Sequence, residues 1–167
     1  KIALHLFQGL RGTNNLVFPN SRREVERYTH LLNRLCEQQK VPNEFWPHHG
    51  SLSKEIRAET EAALKQKEFP ATAICTNTLE LGIDIGAVKS VAQIGPPPSV
   101  ASLRQRLGRS GRRKGEPAIL RGYSVENALG GKPSLADEPR LETVKVTAMI
   151  SLLLEGWAAF AARVVCA

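Results

Sequence analysis

"NLVFPNSRREVERYTHLLNRL", residues 15–35, changes its period halfway. Leu16, Val17 and Phe18 form a short β-rich run that Pro19 and Asn20 end, because proline cannot donate to a strand ladder. Ser21 with Glu24 three residues on spells a capping box, and Val25, Tyr28, Leu31, Leu32 and Leu35 then recur at helical spacing. A strand passing through a breaker into a capped helix is the repeating element of a parallel sheet covered by helices.

The same alternation continues downstream. "EFWPHHG" reads as a strand with its exit loop, and Ser53 caps a helix expected to bury Ile56, Ala63 and Leu64. "ATAICT" and "VKSVAQIG" are further strands. The prolines at 96–98 stop the second of these, Ser99 caps a short helix through Leu103 and Leu107, and "PAILRGYS" is a fifth strand. Residues 126–139 are polar and rich in breakers, the composition of a loop or linker. Beyond them, residues 140–167 read as a long helix with Leu141, Val144, Ala148 and Leu152 on one side, joined by Met149, Leu153 and Trp157. The expected organisation is an open, mainly parallel α/β sheet over residues 1–125, then the linker, then a helical extension that leads to a following domain or covers its own sheet.

Composition narrows the partners. The chain has 167 residues, 42% of them hydrophobic, enough to bury a real core. Lys and Arg number 23 against 16 Asp and Glu, a net charge of +7 that favours a polyanion. Much of it sits in "QRLGRSGRRKG", residues 105–115, with four arginines, one lysine and three glycines. Cys36, Cys75 and Cys166 are far apart and lack a C-x-x-C pair, which argues against zinc or a disulfide framework and for a reducing, intracellular setting. No apolar run has membrane-spanning length, so a cytoplasmic protein with no membrane partner is expected. The start at Lys1, without methionine, and the end within an expected helix suggest a piece of a longer chain.

In open α/β sheets the working residues collect in loops at the carboxyl ends of the strands. Three such loops hold hydroxyls, amides, one carboxylate and arginines, a set suited to phosphates. Arg109 and Arg112 stand three apart, and on a continuing helix they would share a face, with Gly108 and Gly111 clearing the way for close approach. Planar guanidinium forks match phosphate oxygens. The run also reads as a solvated basic turn. In "TNTLELGIDIG", Thr76 and Asn77 end a strand, Gly82 permits an unusual backbone angle, and Asp84 lies between Ile83 and Ile85. Asp84 could accept from a ribose hydroxyl or pair with an arginine; it could equally cap the next segment. Arg57, Arg106, Arg113 and Lys114 read as solvated charges lending electrostatic support, and His48 and His49 as packing residues.

"NLVFPNSRREVE", "HHGSLSKEIR", "ATAICTNTLELGIDIG" and "QRLGRSGRR" occur in the order of motifs IV to VI of the superfamily 2 helicases. The chain resembles the second RecA-like domain of those enzymes, a P-loop NTPase-type sheet with helices on both faces. "TNTLELGIDIGAV" followed by "SVASLRQRLGRSGR" is most similar to the large helicase-related (Lhr) family of ATP-dependent DNA helicases. The resemblance implies that Arg109 and Arg112 reach ATP phosphates across an interdomain cleft. Gln105, which opens motif VI, would lie with Gly108, Gly82 and Asp84 on the nucleotide side. Ser21, Arg22, Gly50, Thr76 and Asn77 would line the backbone of a single-stranded or partly duplex DNA, RNA being the alternative track. It also implies ATP and Mg²⁺ bound mainly by a preceding RecA-like domain, and a following winged-helix-type domain.

No G-x-x-x-x-G-K-[ST] loop occurs, and "ADEPR" follows a Pro-Ser loop rather than an apolar strand. This stretch alone is therefore expected not to hydrolyse ATP. A noncatalytic basic module that only binds nucleic acid is the competing reading.

Overall fold

The computed structural model describes residues 1–66, 68–80, 85–111, 115–125 and 141–155, with the backbone of 163–166. Strands β1 (Asn15–Phe18), β2 (Phe45–His48), β3 (Thr72–Cys75), β4 (Ser90–Ile94), β5 (Ile119–Tyr123) and β6 (Arg163–Cys166) form one sheet. Their order is β2-β3-β1-β4-β5-β6 and every pairing is parallel. Parallel strands require crossovers, and α-helices lie in four of the five connections: α2 (Arg22–Gln38), α3 (Lys54–Lys65), α4 (Val100–Leu107) and α5 (Leu141–Glu155). Helix α1 (Ile2–Leu10) precedes the first strand.

Alternation along the strands sends neighbouring side chains to opposite layers. Val17 packs with Leu6, Phe7 and Leu10 of α1 and Val25, Tyr28 and Leu32 of α2. Leu16 and Phe18 join the other layer, with Leu64 of α3, Leu103 and Leu107 of α4 and Leu153 of α5. Helices thus cover both faces of an open sheet, as expected. The caps are in place too: the Ser21, Ser53 and Ser99 hydroxyls accept from the amides of Glu24, Ile56 and Ser102.

Four expectations change. Helix α1 has no counterpart in the sequence reading, since its nine residues lack a capping side chain. Ile56 is 41% exposed, and α3 meets the sheet instead through Thr60, whose hydroxyl donates to the Pro47 carbonyl. In α5 the stripe is rotated: Val144 and Leu152 are each 56% exposed, while Val146 and Leu153 are buried, and half-buried Met149 and Ile150 pack with Leu153 on the layer of Leu16 and Phe18. That helix is apolar nearly all round, so its period does not select a face; the glycine surface does, because a Cβ at Gly122 would meet Ile150 at 3.4 Å. Finally, residues 163–166 are not helical but a β strand added beside β5. The 126–139 connection and Trp157 lie outside the described residues.

Candidate nucleic-acid interface

The carboxyl ends of β1, β2, β3 and β4 open onto one pocket of about 670 Å³. Ser21 and Arg22 enter it from the start of α2, Gly50 from the loop after β2, and Thr76 and Asn77 from the turn after β3. All five residues expected along a nucleic-acid backbone therefore share one concave surface. Pro19, Asn20, Thr78, Pro96, Pro98 and Arg106 complete it, and none of these was among the residues expected there. Arg22 Nη1 donates to Ser51 Oγ at 2.5 Å, joining the first two loops, and Asn20 Nδ2 donates to the Pro96 carbonyl at 2.9 Å, joining the first and fourth. A Cβ built at Gly50 would meet nothing within 4 Å, so the pocket is open at that point.

Beneath the pocket lies a charged cluster. Arg106, expected to be a solvated charge, is 3% exposed. Its Nε and Nη2 both donate to Glu80 Oε2, at 3.1 and 3.0 Å, and Nη1 donates to Gln93 Oε1 at 2.5 Å. The guanidinium stacks 4.6 Å from the Phe18 ring centroid. Its burial follows from the helix period: Arg106 shares the inward face of α4 with Leu103 and Leu107. A buried guanidinium needs a paired acceptor, and Glu80, itself buried, supplies it. The isolated acid in "LELG", together with an arginine on an apolar helix face, was the available signal.

The arginine segment follows directly. Helix α4 ends at Leu107, so Arg109 is not on a continuing helix. Arg109 is 6% exposed, and its Nε and Nη2 donate to the Glu80 carbonyl at 3.4 and 3.2 Å. Gln105 and Gly108 are exposed. Gly111 has φ +68°, and a Cβ there would sit 2.6 Å from the Ala118 amide nitrogen. The close approach that this glycine permits is therefore to the chain's own backbone. Gly82, Asp84, Arg112, Arg113 and Lys114 lie outside the described residues.

The two histidines brace the rim. His48 is buried, with Nδ1 on Thr78 Oγ1 at 2.8 Å and Nε2 on Glu61 Oε1 at 3.2 Å. Burial pushes its pKa below the ordinary value, against the pull of the Glu61 carboxylate. His49 Nε2 meets Glu26 Oε1 at 2.6 Å, tying the β2 exit to α2. Among the described residues, no three His, Cys, Asp or Glu side chains are grouped to hold a metal, and no helix is long and apolar enough to cross a membrane.

An open parallel sheet, covered on both faces, with its charged loops at the carboxyl ends of the strands, is a doubly wound α/β architecture, the class that includes RecA-like helicase domains. The chain belongs to the helicase conserved C-terminal domain family, whose model matches residues 1–114. The ATP-dependent helicase Lhr-Core of Methanothermobacter thermautotrophicus is 37% identical over 137 residues, covering 78% of this chain and 16% of the relative. The Lhr helicase/probable uracil glycosylase of Mycolicibacterium smegmatis is 39% identical over 132 residues, 62% of this chain and 9% of that protein. A solved structure of Mycobacterium smegmatis helicase Lhr bound to ssDNA and AMP-PNP superposes with a TM-score of 0.76 at 32% identity, covering 98% of this chain and 20% of that one. The chain thus spans less than a fifth of the length of these curated relatives.

Proposed function

We propose that this chain is the second motor domain of an ATP-dependent DNA helicase or translocase. The observation that carries the reading is the convergence of Ser21, Arg22, Gly50, Thr76 and Asn77, from three separate loops, on one open pocket. Hydroxyls, amides and a guanidinium on such a surface contact phosphate and sugar and position a strand without reading its sequence. The Lhr relative solved with single-stranded DNA supports that track over RNA.

Under this reading a preceding RecA-like domain holds ATP and Mg²⁺. Gln105, Gly108, Gly82 and Asp84 face the nucleotide. Arg109 and Arg112 are the arginine fingers, stabilising charge on the phosphates when the cleft closes. In the structure Arg109 is held on the Glu80 carbonyl, so closure requires the guanidinium to exchange that partner for phosphate. Repeated closing and opening then alters the grip on the strand and gives stepping. A winged-helix-type domain follows in the parent.

The test is strand binding by the full-length parent, with Arg22→Ala against the unaltered protein. Affinity for single-stranded DNA should fall about equally for unrelated sequences, and the slope of log affinity against log salt should drop by about 1. Unchanged affinity and slope would remove the pocket from the strand path. Parallel titration with RNA of the same sequence settles the track.

A further inference from the structure

Two guanidinium groups that serve different partners in the proposed cycle are held by one residue. Arg106 lines the strand pocket and bonds the Glu80 carboxylate; Arg109 belongs to the phosphate-facing segment and bonds the Glu80 carbonyl. We infer that Glu80 is a positioning residue that couples occupancy of the strand pocket to the setting of the arginine segment. The inference rests on the proposed function and deepens it.

The contacts form an unbroken path. At the rim, Asn20 Nδ2 holds the Pro96 carbonyl and Asn20 Oδ1 accepts from Gln93 Nε2 at 3.3 Å. Gln93 Oε1 in turn accepts from Arg106 Nη1, and Arg106 leads to Glu80. Both bonds from Arg106 to Glu80 end on the same carboxylate oxygen, Oε2, so the guanidinium cannot shift toward a phosphate in the pocket without loosening two charge-assisted bonds together. Glu80 directly follows the short 3-10 turn Asn77–Leu79, whose first residue faces the pocket. Movement of Glu80 therefore shifts the carbonyl on which Arg109 rests. The cluster is buried, where the loss of a charge partner is costly, and a ligand that competes for Arg106 has leverage on its neighbours. Coupling of this kind is a free energy between two sites, and it appears as a change in one site's response to the other's ligand.

Glu80→Gln tests it in the full-length parent. The amide oxygen can still accept from Arg106 and the backbone carbonyl that holds Arg109 is unchanged, but the charge that ties the Arg106 guanidinium is gone. ATP turnover is measured without DNA and with saturating single-stranded DNA, alongside melting temperature and DNA affinity. The expected result is basal turnover within about threefold of the unaltered parent, with the stimulation by DNA reduced about tenfold, the middle of the usual coupling range. A purely structural role would lower basal and stimulated turnover together, and that result would overturn the inference. So would stimulation within twofold of the unaltered parent. If the Gln variant melts below the assay temperature, Glu80→Asp decides: it keeps the charge but withdraws the oxygen by one methylene, and the same loss of stimulation is expected. An unaltered parent that binds DNA yet shows no stimulation removes this inference and the proposed motor together, whereas a stimulated parent with an indifferent Glu80 removes this inference alone.

Discussion

The pocket rim and the cluster beneath it are built from similar residues, yet they stand in opposite relation to water. Arg22, Ser21, Asn77 and Gly50 are exposed, and none is needed to fill the core. Arg106, Glu80 and Arg109 are buried, and both arginines are bonded to Glu80. The difference teaches that charge in this domain has two uses. At the rim it is available to a ligand and contributes little to folding. Below, it is committed to the fold, and any functional effect acts through geometry.

Stability should separate the regions most sharply. Glu80→Ala leaves the Arg106 guanidinium buried without its carboxylate, and removing one partner of a buried pair costs about 3–5 kcal/mol. Asn77→Ala, an exposed change at the rim, should stay within about 0.5 kcal/mol. Chemical denaturation of both variants gives the comparison; equal midpoints would break it.

The glycines sharpen the same contrast at smaller scale. Gly111→Ala forces a Cβ against the Ala118 backbone at a positive φ, and should destabilise the domain by about 1–3 kcal/mol. Gly50→Ala meets open space, so its melting temperature should hold while single-stranded DNA affinity falls by several-fold through obstruction of the strand. A Gly50→Ala variant that binds normally would show that the strand does not approach there.

The reach of the sequence follows from the same division. Helix α2 was legible because a capping box and a two-faced period agree, and Ser21 caps it as expected. Helix α5 was not, because Leu, Val, Ile and Met occur on every side and only tertiary contact chooses among them. The loops that carry the rim residues were legible because strand ends and breakers mark them, while the expectation that those residues line a nucleic-acid strand came from the resemblance. The Glu80–Arg106 pair joins residues 26 apart in sequence, and a local pattern gives no sign of which acid neutralises which base. Its traces were Glu80 isolated between leucines and Arg106 at an apolar helix position.

The smallest expected effect concerns pH. Burial holds the His48 pKa below the ordinary 6.5, so the unfolded chain takes up a proton there before the folded one does. Its contribution is fully present above about pH 6.5 and is lost as the pH falls through that value toward the folded pKa. Melting temperature should therefore decline on acidification from pH 7.5 to 5, and His48→Gln should flatten that decline. An identical profile for the variant would show that His48 does not set it.

The central claim is that this domain completes an ATP site in another domain, and nucleic-acid-stimulated ATP turnover by the full-length parent, unaltered against Arg112→Ala, tests it most directly. With ATP and DNA binding measured separately and intact, turnover should fall about a hundredfold or more, as when an arginine finger is withdrawn. Turnover within twofold of the unaltered protein would contradict the account and leave a basic module that only binds nucleic acid.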